Sequence, residues 1–176
     1  MPSIRSCPLP SGALLNRYRE SGAYADCYVT EVARPVSHPE FVEAFYTTAV
    51  FKLERLILRF FVSRPSTDAQ AGQLAQGELS SFAAWAVEER APNQLLLRDF
   101  TGRTRSWLMV ALPDNPGSGG TRLYFGSAVV PVRNSRTGRT SLGPVFIALL
   151  GFHKLYSQIL LRAARLRLSR KLPPNS

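Results

Sequence analysis

Acidic residues are missing from the last third of this 176-residue chain. No Asp or Glu follows Asp114, whereas ten Lys and Arg residues do, so the whole net charge of +10 lies in that third. The arginines there have no carboxylate in their own segment with which to pair. Such a basic segment raises nucleic acid and anionic membranes as partners, although surplus arginine often only solvates a surface.

Cysteine and histidine are scarce as well. Cys7 and Cys27 are too few and too scattered for a disulfide framework, and two histidines do not make a metal-ligand pattern. We therefore expect free thiols in a reducing cytoplasm, no metal and no cofactor. Signatures of nucleophilic catalysis, of zinc peptidases and of phosphate-binding glycine loops are also missing.

Long apolar runs are absent too. The N-terminal segment has prolines where a secretory signal would have its apolar region. The most apolar stretch, 142–161, is interrupted by His153–Lys154 and by Ser157–Gln158, whereas a spanning helix needs roughly 18 apolar residues in a row. The sequence thus predicts a soluble, cytoplasmic protein and leaves contact with a membrane surface open.

The composition, with 45% hydrophobic residues, fits one globular domain with a substantial core. We divide the chain into a leader segment at 1–25, a single domain at 26–169 and a basic, polar tail at 170–176. The first clear strand, at 26–33, is rich in β-branched and aromatic residues and follows a leader interrupted by Pro and Gly.

A helical segment follows this strand. Ser37 and Glu40 have the spacing of a capping box, and apolar residues then recur at helical spacing. The hydroxyl pair Thr47–Thr48 favours a helix end over a helix interior. Both a single long helix and a pair at 38–46 and 49–62 therefore fit the pattern.

From Ser80 onward the hydrophobic period is that of strands. Strands are predicted at 82–90, 93–101, 103–112 and 121–132. Because these strands are consecutive and mostly joined by short turns, they should form an antiparallel meander. A long helix at 143–168 then ends the domain, so the fold class is α+β with the helices on one face of the sheet.

The last helix has one narrow polar stripe on a helical wheel. The stripe consists of Lys154, Gln158, Arg162, Arg165 and Ser169. We therefore expect the helix to be buried over most of its circumference. His153 and Tyr156 are neighbours on the inward face. They fit an acid–base or ligand-anchoring pair, and they equally fit a core pair with satisfied hydrogen bonds.

The element order between 26 and 168 resembles the helix-grip fold of the START-like superfamily, also called SRPBCC. The local likeness lies at 95–110 and 121–130, and the block at 143–155 is similar to an uncharacterised bacterial branch of that superfamily. The resemblance implies a curved antiparallel sheet wrapped around the C-terminal helix, with a hydrophobic cavity between them. Five predicted strands fall short of the family's usual six or seven, a difference that a break in a long strand or a strand from the leader could account for.

A cavity under the last helix would be lined by aromatic and apolar side chains. The candidate ligand-binding residues are Trp85, Trp107, Tyr124, Leu149, Phe152, His153 and Tyr156. Plain core packing is the alternative for each aromatic residue among them. The function we expect is binding of an apolar or aromatic small molecule or lipid, rather than catalysis.

Two alternative functions remain. A cyclase or hydrolase would use His153, Tyr156 and Asp99, although Asp99 could equally belong to an ion-paired surface with Arg103 and Arg105. A peripheral protein would bind an anionic membrane through its basic residues. These are Arg133, Arg136, Arg139, Arg162, Arg165 and Arg170. Nucleic acid is disfavoured, because the aromatic residues alternate with strand positions rather than with the basic tail.

Overall fold

The computed structural model describes residues 3–53, 66–114, 119–133, 140–141 and 144–170. Side chains are described at these positions except for 132–133, 140–141 and 144–153. Most of the predicted tail therefore lies outside the described residues. The fold is α+β: an open, curved antiparallel sheet carries a long C-terminal helix, as the sequence predicts.

In the described part of the chain, seven strands form the main sheet. They are β1 (Arg5–Ser6), β2 (Tyr24–Val32), β3 (Ser81–Phe82), β4 (Trp85–Ala91), β5 (Gln94–Asp99), β6 (Thr104–Ala111) and β7 (Thr121–Val129). A separate ribbon pairs β8 (Val132–Arg133) with β9 (Thr140–Ser141). The helices are α1 (Asn16–Glu20), α2 (His38–Tyr46), α3 (Asp68–Gln76) and α4 (Pro144–Arg170).

The sheet has the order β1-β2-β7-β6-β5-β4-β3. Strands β4 to β7 form the predicted four-stranded meander, and β2 pairs with β7 over its whole length. The sequence count missed two short strands, β1 in the leader and β3 before the meander. The strand predicted at 121–132 was too long: it ends at Val129, shortly before Pro131, which has no N–H for the ladder.

The helical segment after β2 is a pair rather than one rod. The Ser37 hydroxyl accepts the N–H of Glu40 at 3.3 Å, which begins α2 as predicted. The helix ends at Thr47, and the chain is helical again at 49–53. The hydroxyl of Thr48 accepts the N–H of Phe51 at 3.2 Å and so caps this second helix. The remainder of the predicted second helix lies outside the described residues.

Helices α2 and α4 cover one face of the sheet. Buried sheet residues such as Leu95, Leu108 and Phe125 pack there against Phe45 and Leu161 of the helices. The final helix lies over β2 and β7 and beside α2. This face holds the larger part of the described core.

Arg34, between β2 and α2, fixes the far end of α4. Its guanidinium donates to the backbone oxygen of Leu168 from Nε at 3.1 Å and from Nη2 at 2.9 Å. The same group pairs with the carboxylate of Glu40 at 2.7 Å. One side chain therefore joins the C-terminal carbonyls of α4 to the start of α2.

The leader segment covers the opposite face of the sheet. Leu15 is fully buried there, in one cluster with Trp107 and Tyr124. The side-chain amide of Gln94 provides a polar anchor: its oxygen accepts from the N–H of Leu14 and from the Trp107 indole, both at 2.9 Å, and its nitrogen donates to Gly12 O at 3.1 Å. The leader is thus packed as a second layer on the domain.

A buried arginine makes a second anchor for the leader. Arg105 of β6 donates from Nε to the hydroxyl of Tyr18 at 2.8 Å and pairs with Glu88 at 2.7 Å. Its guanidinium also lies 4.6 Å from the centre of the Tyr18 ring. Tyr18 and Glu88 are hydrogen-bonded to each other, which closes a three-membered polar cluster.

The close approach of the leader to the sheet depends on a glycine, which has no Cβ atom. Gly126 of β7 lies directly across from Trp107 of β6. A Cβ at this position would lie 2.9 Å from the backbone oxygen of Asp26 and 3.0 Å from atoms of Leu15 and Trp107. Each contact is shorter than ordinary van der Waals distance, and the first involves backbone.

We expect Gly126→Ala to lower the free energy of unfolding by about 1–3 kcal/mol, because the strand backbone would have to shift to admit the methyl group. Urea unfolding followed by circular dichroism measures the change. The matched control is Gly72→Ala in α3, where nothing lies within 4 Å of an added Cβ. That variant should be neutral or stabilising. Equal stability of the two variants would contradict the packing described above.

His38 should make stability dependent on pH. It is the first residue of α2 and only 7% exposed, and burial lowers its pKa to about 4. Unfolding exposes an imidazole that takes up a proton below about pH 6.5. The free energy of unfolding should therefore fall as pH drops from 6.5 towards 4, by up to about 1.4 kcal/mol per pH unit from this residue alone.

Urea titrations at pH 7, 6 and 5 give the free energy of unfolding of the wild type and of His38→Gln. The contribution of His38 is the difference between the slopes of that free energy against pH in the two proteins. Carboxylates contribute to both proteins and cancel in that difference. Parallel pH profiles for wild type and His38→Gln would rule out the proposed burial of the neutral imidazole.

Candidate functional site

A cavity of about 180 Å³ lies between the sheet and α4. Its aromatic lining consists of Phe45, Phe51, Trp85, Phe125 and Tyr156. The other lining residues are Thr104, Arg105, Ser106, Ser127, Ser157 and Leu160. Larger depressions exist on the described surface, but they are more open to solvent. The aromatic lining makes this cavity the candidate site.

The aromatic walls come from elements distant in sequence. Phe45 belongs to α2 and Phe125 to β7, and their ring centroids are 4.8 Å apart. Phe51, from the helical segment after α2, lies 6.4 Å from Phe45. Aromatic rings from the helices and from the sheet therefore pack against one another in the cavity wall, so the wall is part of the packed core.

Trp85, the first residue of β4, has a buried indole nitrogen. Within the described part of the chain this N–H has no hydrogen-bond partner. An indole nitrogen can only donate, and a buried donor left unpaired costs about 1–3 kcal/mol. Other atoms of Trp85 line the aromatic cavity, so the unpaired donor belongs to a residue of the cavity wall.

The two serine hydroxyls that the sheet contributes to the cavity wall are engaged by the protein itself. Ser106 Oγ lies 3.3 Å from the hydroxyl of Tyr46. Ser127 donates from Oγ to Asp26 Oδ1 at 2.6 Å, and the same carboxylate takes a hydrogen bond from the Tyr24 hydroxyl at 3.2 Å. Ser127 therefore stabilises the β2–β7 pair, and its hydroxyl proton is directed at a carboxylate that belongs to the scaffold.

The structure separates the sequence candidates into two groups. Trp85 and Tyr156 line the cavity, whereas Trp107 and Tyr124 lie on the leader face, with ring centroids 6.3 Å apart. Strand alternation is the reason, since Trp107 points away from the face to which Ser106 and Leu108 belong. Trp107 and Tyr124 thus do not share a site with Tyr156.

Three further candidates belong to α4. Leu149, Phe152 and His153 lie within its helical span, but their side chains are outside the part that the structure describes.

Sequence reasoning missed several lining residues. Phe45, Phe51 and Phe125 were not among the candidate residues. A signal for the sheet wall was present: Ser106 and Ser127 are small polar residues within otherwise apolar strands, and they pair directly in register. Small side chains facing each other on neighbouring strands leave room above the sheet.

Asp99, the carboxylate considered for catalysis, holds a turn instead. Its Oδ1 accepts the backbone N–H groups of Arg103 at 2.8 Å and Thr104 at 2.9 Å. The hydroxyl of Thr101 also donates to this carboxylate. Arg105 does not join Asp99 in an ion pair in the described contacts but turns to Glu88 on the leader face. Asp99 therefore closes the β5–β6 hairpin.

The outward face of α4 corrects a prediction. The helix was expected to be buried over most of its circumference, yet Leu155 is 57% exposed and Ile159 and Leu166 are each 41% exposed. The cause is geometric, since α4 packs on β2, β7 and α2 from one side. The exposed leucines and isoleucine lie beside Lys154 and Arg162, which are exposed too.

The predicted basic partners are only partly described. Arg162 and Arg170 are exposed, and Arg165 is half-buried. The side chains of Arg133, Arg136 and Arg139 lie outside the described residues. The basic face that can be assessed is therefore the one on α4.

We find no protein-family model that matches the chain, and no curated protein or solved structure that is similar to it. In the described ranges, no cluster of three or more His, Cys, Asp or Glu residues is placed to hold a metal ion. No helix in those ranges combines the length and the apolar character that crossing a membrane requires. Fold and site together define an α+β domain with an internal aromatic cavity.

Proposed function

We propose that this protein binds a small apolar or aromatic molecule carrying a hydrogen-bond acceptor, in the cavity between the sheet and α4. The observation that carries the proposal is the aromatic cavity wall, which includes Trp85, a residue whose buried indole N–H lacks an acceptor among the described residues. A ligand carbonyl or ether oxygen would satisfy that donor, while the ring would contact the phenylalanines.

The cavity volume sets the size of the ligand. Apolar cavities of about 150 Å³ in protein cores take up benzene-sized molecules. The volume of about 180 Å³ found here suits one aromatic ring with a small substituent, or a short segment of an acyl chain. Burial of that ring would contribute about 25 cal/mol of favourable free energy for each Å² of apolar surface removed from water.

The fold supports the same function by resemblance. Helices lie on one face of an antiparallel meander, and a long C-terminal helix lies over its central strands. This arrangement resembles the helix-grip fold of the START-like superfamily, in which the C-terminal helix roofs a hydrophobic cavity. We therefore assign the chain's cavity the role that the resemblance implies.

Binding is favoured over catalysis by the chemistry of the lining. The described lining contains aromatic rings, hydroxyls and Arg105, without a carboxylate or an imidazole. The guanidinium of Arg105 is bound to Glu88 and Tyr18 on the leader face. A cyclase or hydrolase remains the alternative, and it would depend on His153 acting with Tyr156.

We expect Trp85→Phe to abolish selectivity for ligands with an acceptor. Acetophenone and ethylbenzene are the probes, because they share a ring and a similar shape and differ in the carbonyl oxygen. The wild type should bind acetophenone about 2–10 times more tightly, as one net hydrogen bond contributes about 0.5–1.5 kcal/mol. Isothermal titration calorimetry measures both affinities.

The matched control for this test is Trp107→Phe, the same substitution on the leader face. Its indole is bound to Gln94 at 2.9 Å, so the variant should lose stability but keep the preference for acetophenone. Circular dichroism first establishes that each variant is folded. Absence of binding by the folded wild type, or an unchanged preference in Trp85→Phe, would refute the proposal.

A second candidate function rests on the outward face of α4. Exposed Leu155 and Ile159 lie beside exposed Lys154 and Arg162, in a third of the chain that has no acidic residue. Apolar side chains next to cationic ones are typical of helices that lie at an anionic lipid surface. We infer that this face contacts anionic membranes, an interaction that leaves the cavity free.

Vesicle sedimentation tests this contact. We expect the protein to bind phosphatidylcholine vesicles that contain phosphatidylglycerol, and Arg162→Gln to weaken binding about fivefold, since one basic residue near such a surface contributes about 1 kcal/mol. Leu155→Ser should weaken binding as well, whereas the control Leu112→Ser, at an exposed leucine elsewhere, should not. Equal binding to pure phosphatidylcholine vesicles would exclude the contact.

A further inference from the structure

Cys7 and Cys27 lie side by side, although twenty positions of sequence separate them. The N–H of Cys7 donates to the backbone oxygen of Cys27 at 3.0 Å, which continues the β1–β2 register by one residue. The two sulfurs are 3.4 Å apart. Both thiols are free, in line with the expectation from the sequence, but they are adjacent in space although scattered in sequence.

The backbone geometry allows these sulfurs to bond. Directly opposed residues of a hydrogen-bonded antiparallel pair have Cα atoms about 5.5 Å apart, within the range of about 4.4–6.8 Å that disulfides span. A bond would bring the sulfurs to about 2.05 Å by side-chain rotation. No rearrangement of β1 or β2 is needed.

The two thiols are unequal. Hydrogen bonding with Cys27 and the positive charges of Arg5 and Arg122 lower the pKa of Cys7, which is partly exposed. Contact with Cys7 and burial raise the pKa of Cys27, which is only 2% exposed. Because the thiolate is the nucleophile, Cys7 is the attacking sulfur and Cys27 the resolving one.

An open groove of about 490 Å³ adjoins the pair. Its walls include the cationic residues Arg19 and Lys154, besides the carboxylate of Asp26. That carboxylate accepts hydrogen bonds from Ser127 and Tyr24 and keeps its charge, so the two cations leave the lining with a net positive charge. The groove thus fits a small molecule with negative charge next to its reactive centre.

We propose that Cys7 and Cys27 form a thiol–disulfide exchange site for an anionic low-molecular-weight disulfide of the glutathione type. The Cys7 thiolate attacks one sulfur of that disulfide, whose S–S bond breaks and releases one small thiolate, which takes up a proton. Cys27 then loses its proton and attacks the Cys7 sulfur, which expels the second small thiol. Two protein thiols are oxidised by two electrons, and one disulfide is reduced to two thiols.

The product would be a covalent link between the leader and β2. In the described structure β1 pairs with β2 at only two positions, so the leader depends on Gln94 and Arg105 for its attachment. The Cys7–Cys27 disulfide would add a permanent bond at the end of the leader opposite to those anchors. The redox state of the site therefore determines whether the leader is covalently attached to β2.

The test treats the full chain with oxidised glutathione and follows the thiols by alkylation and peptide mass spectrometry. The wild type should lose both thiols and retain no glutathione, with Cys7 and Cys27 joined in one cross-linked peptide. Cys27→Ser should hold one glutathione on Cys7. In Cys7→Ser the buried Cys27 should react at least about tenfold more slowly. Thiols that stay reduced in the wild type, or equal rates in the two variants, would overturn the site.

A second arm tests the class of disulfide. Oxidised glutathione should react with Cys27→Ser several-fold faster than neutral 2-hydroxyethyl disulfide does. Arg19→Gln combined with Lys154→Gln should remove that preference and leave the neutral reagent unaffected. A preference that survives the loss of both cations would overturn the assignment of an anionic substrate. These thiol readouts do not depend on any ligand of the cavity under α4.

Discussion

The central strands carry apolar side chains on both faces, and this constraint organises the molecule. Leu95, Leu96 and Leu97 are consecutive and all buried, as are Trp107 and Leu108 on the next strand. Successive strand residues point to opposite faces, so each face exposes apolar surface that must be covered. Helices α2 and α4 cover one face, and the leader covers the other. The sheet is the middle layer of three.

This two-sided cover decides which residues can form a site. The leader face is closed by large side chains, since Leu15 fills the space over Gly126 and the Trp107 indole is satisfied by Gln94. The helix face carries Ser106 and Ser127, whose small side chains leave the volume that aromatic rings enclose. Trp85, whose indole N–H is unpaired among the described residues, is part of that cavity wall. An internal site therefore belongs to the helix face.

Local signals in the sequence were sufficient for most of the fold. The strand period predicted the meander, and the Ser37–Glu40 spacing predicted the start of α2. Pairings across the sheet could not be read in the same way, because they depend on register. The contact between Cys7 and Cys27 arises only once β1 joins β2, and strand alternation alone could not tell which face Trp107 would take. Hence the fold class was predictable and the membership of the site was not.

The two proposed sites share β2, yet its pairing insulates one from the other. Cys27 points to the leader face, while its neighbour Tyr28 packs in the helix-face core. Strand β2 pairs with β7 at all nine of its residues but with β1 at only two. Oxidation of the cysteine pair should therefore leave β2 in place, because β7 holds it along its whole inner edge. The leader is attached more weakly to β2, so it is the part that should shift. Oxidation of the pair should change how the outer layer is attached while the aromatic cavity keeps its shape.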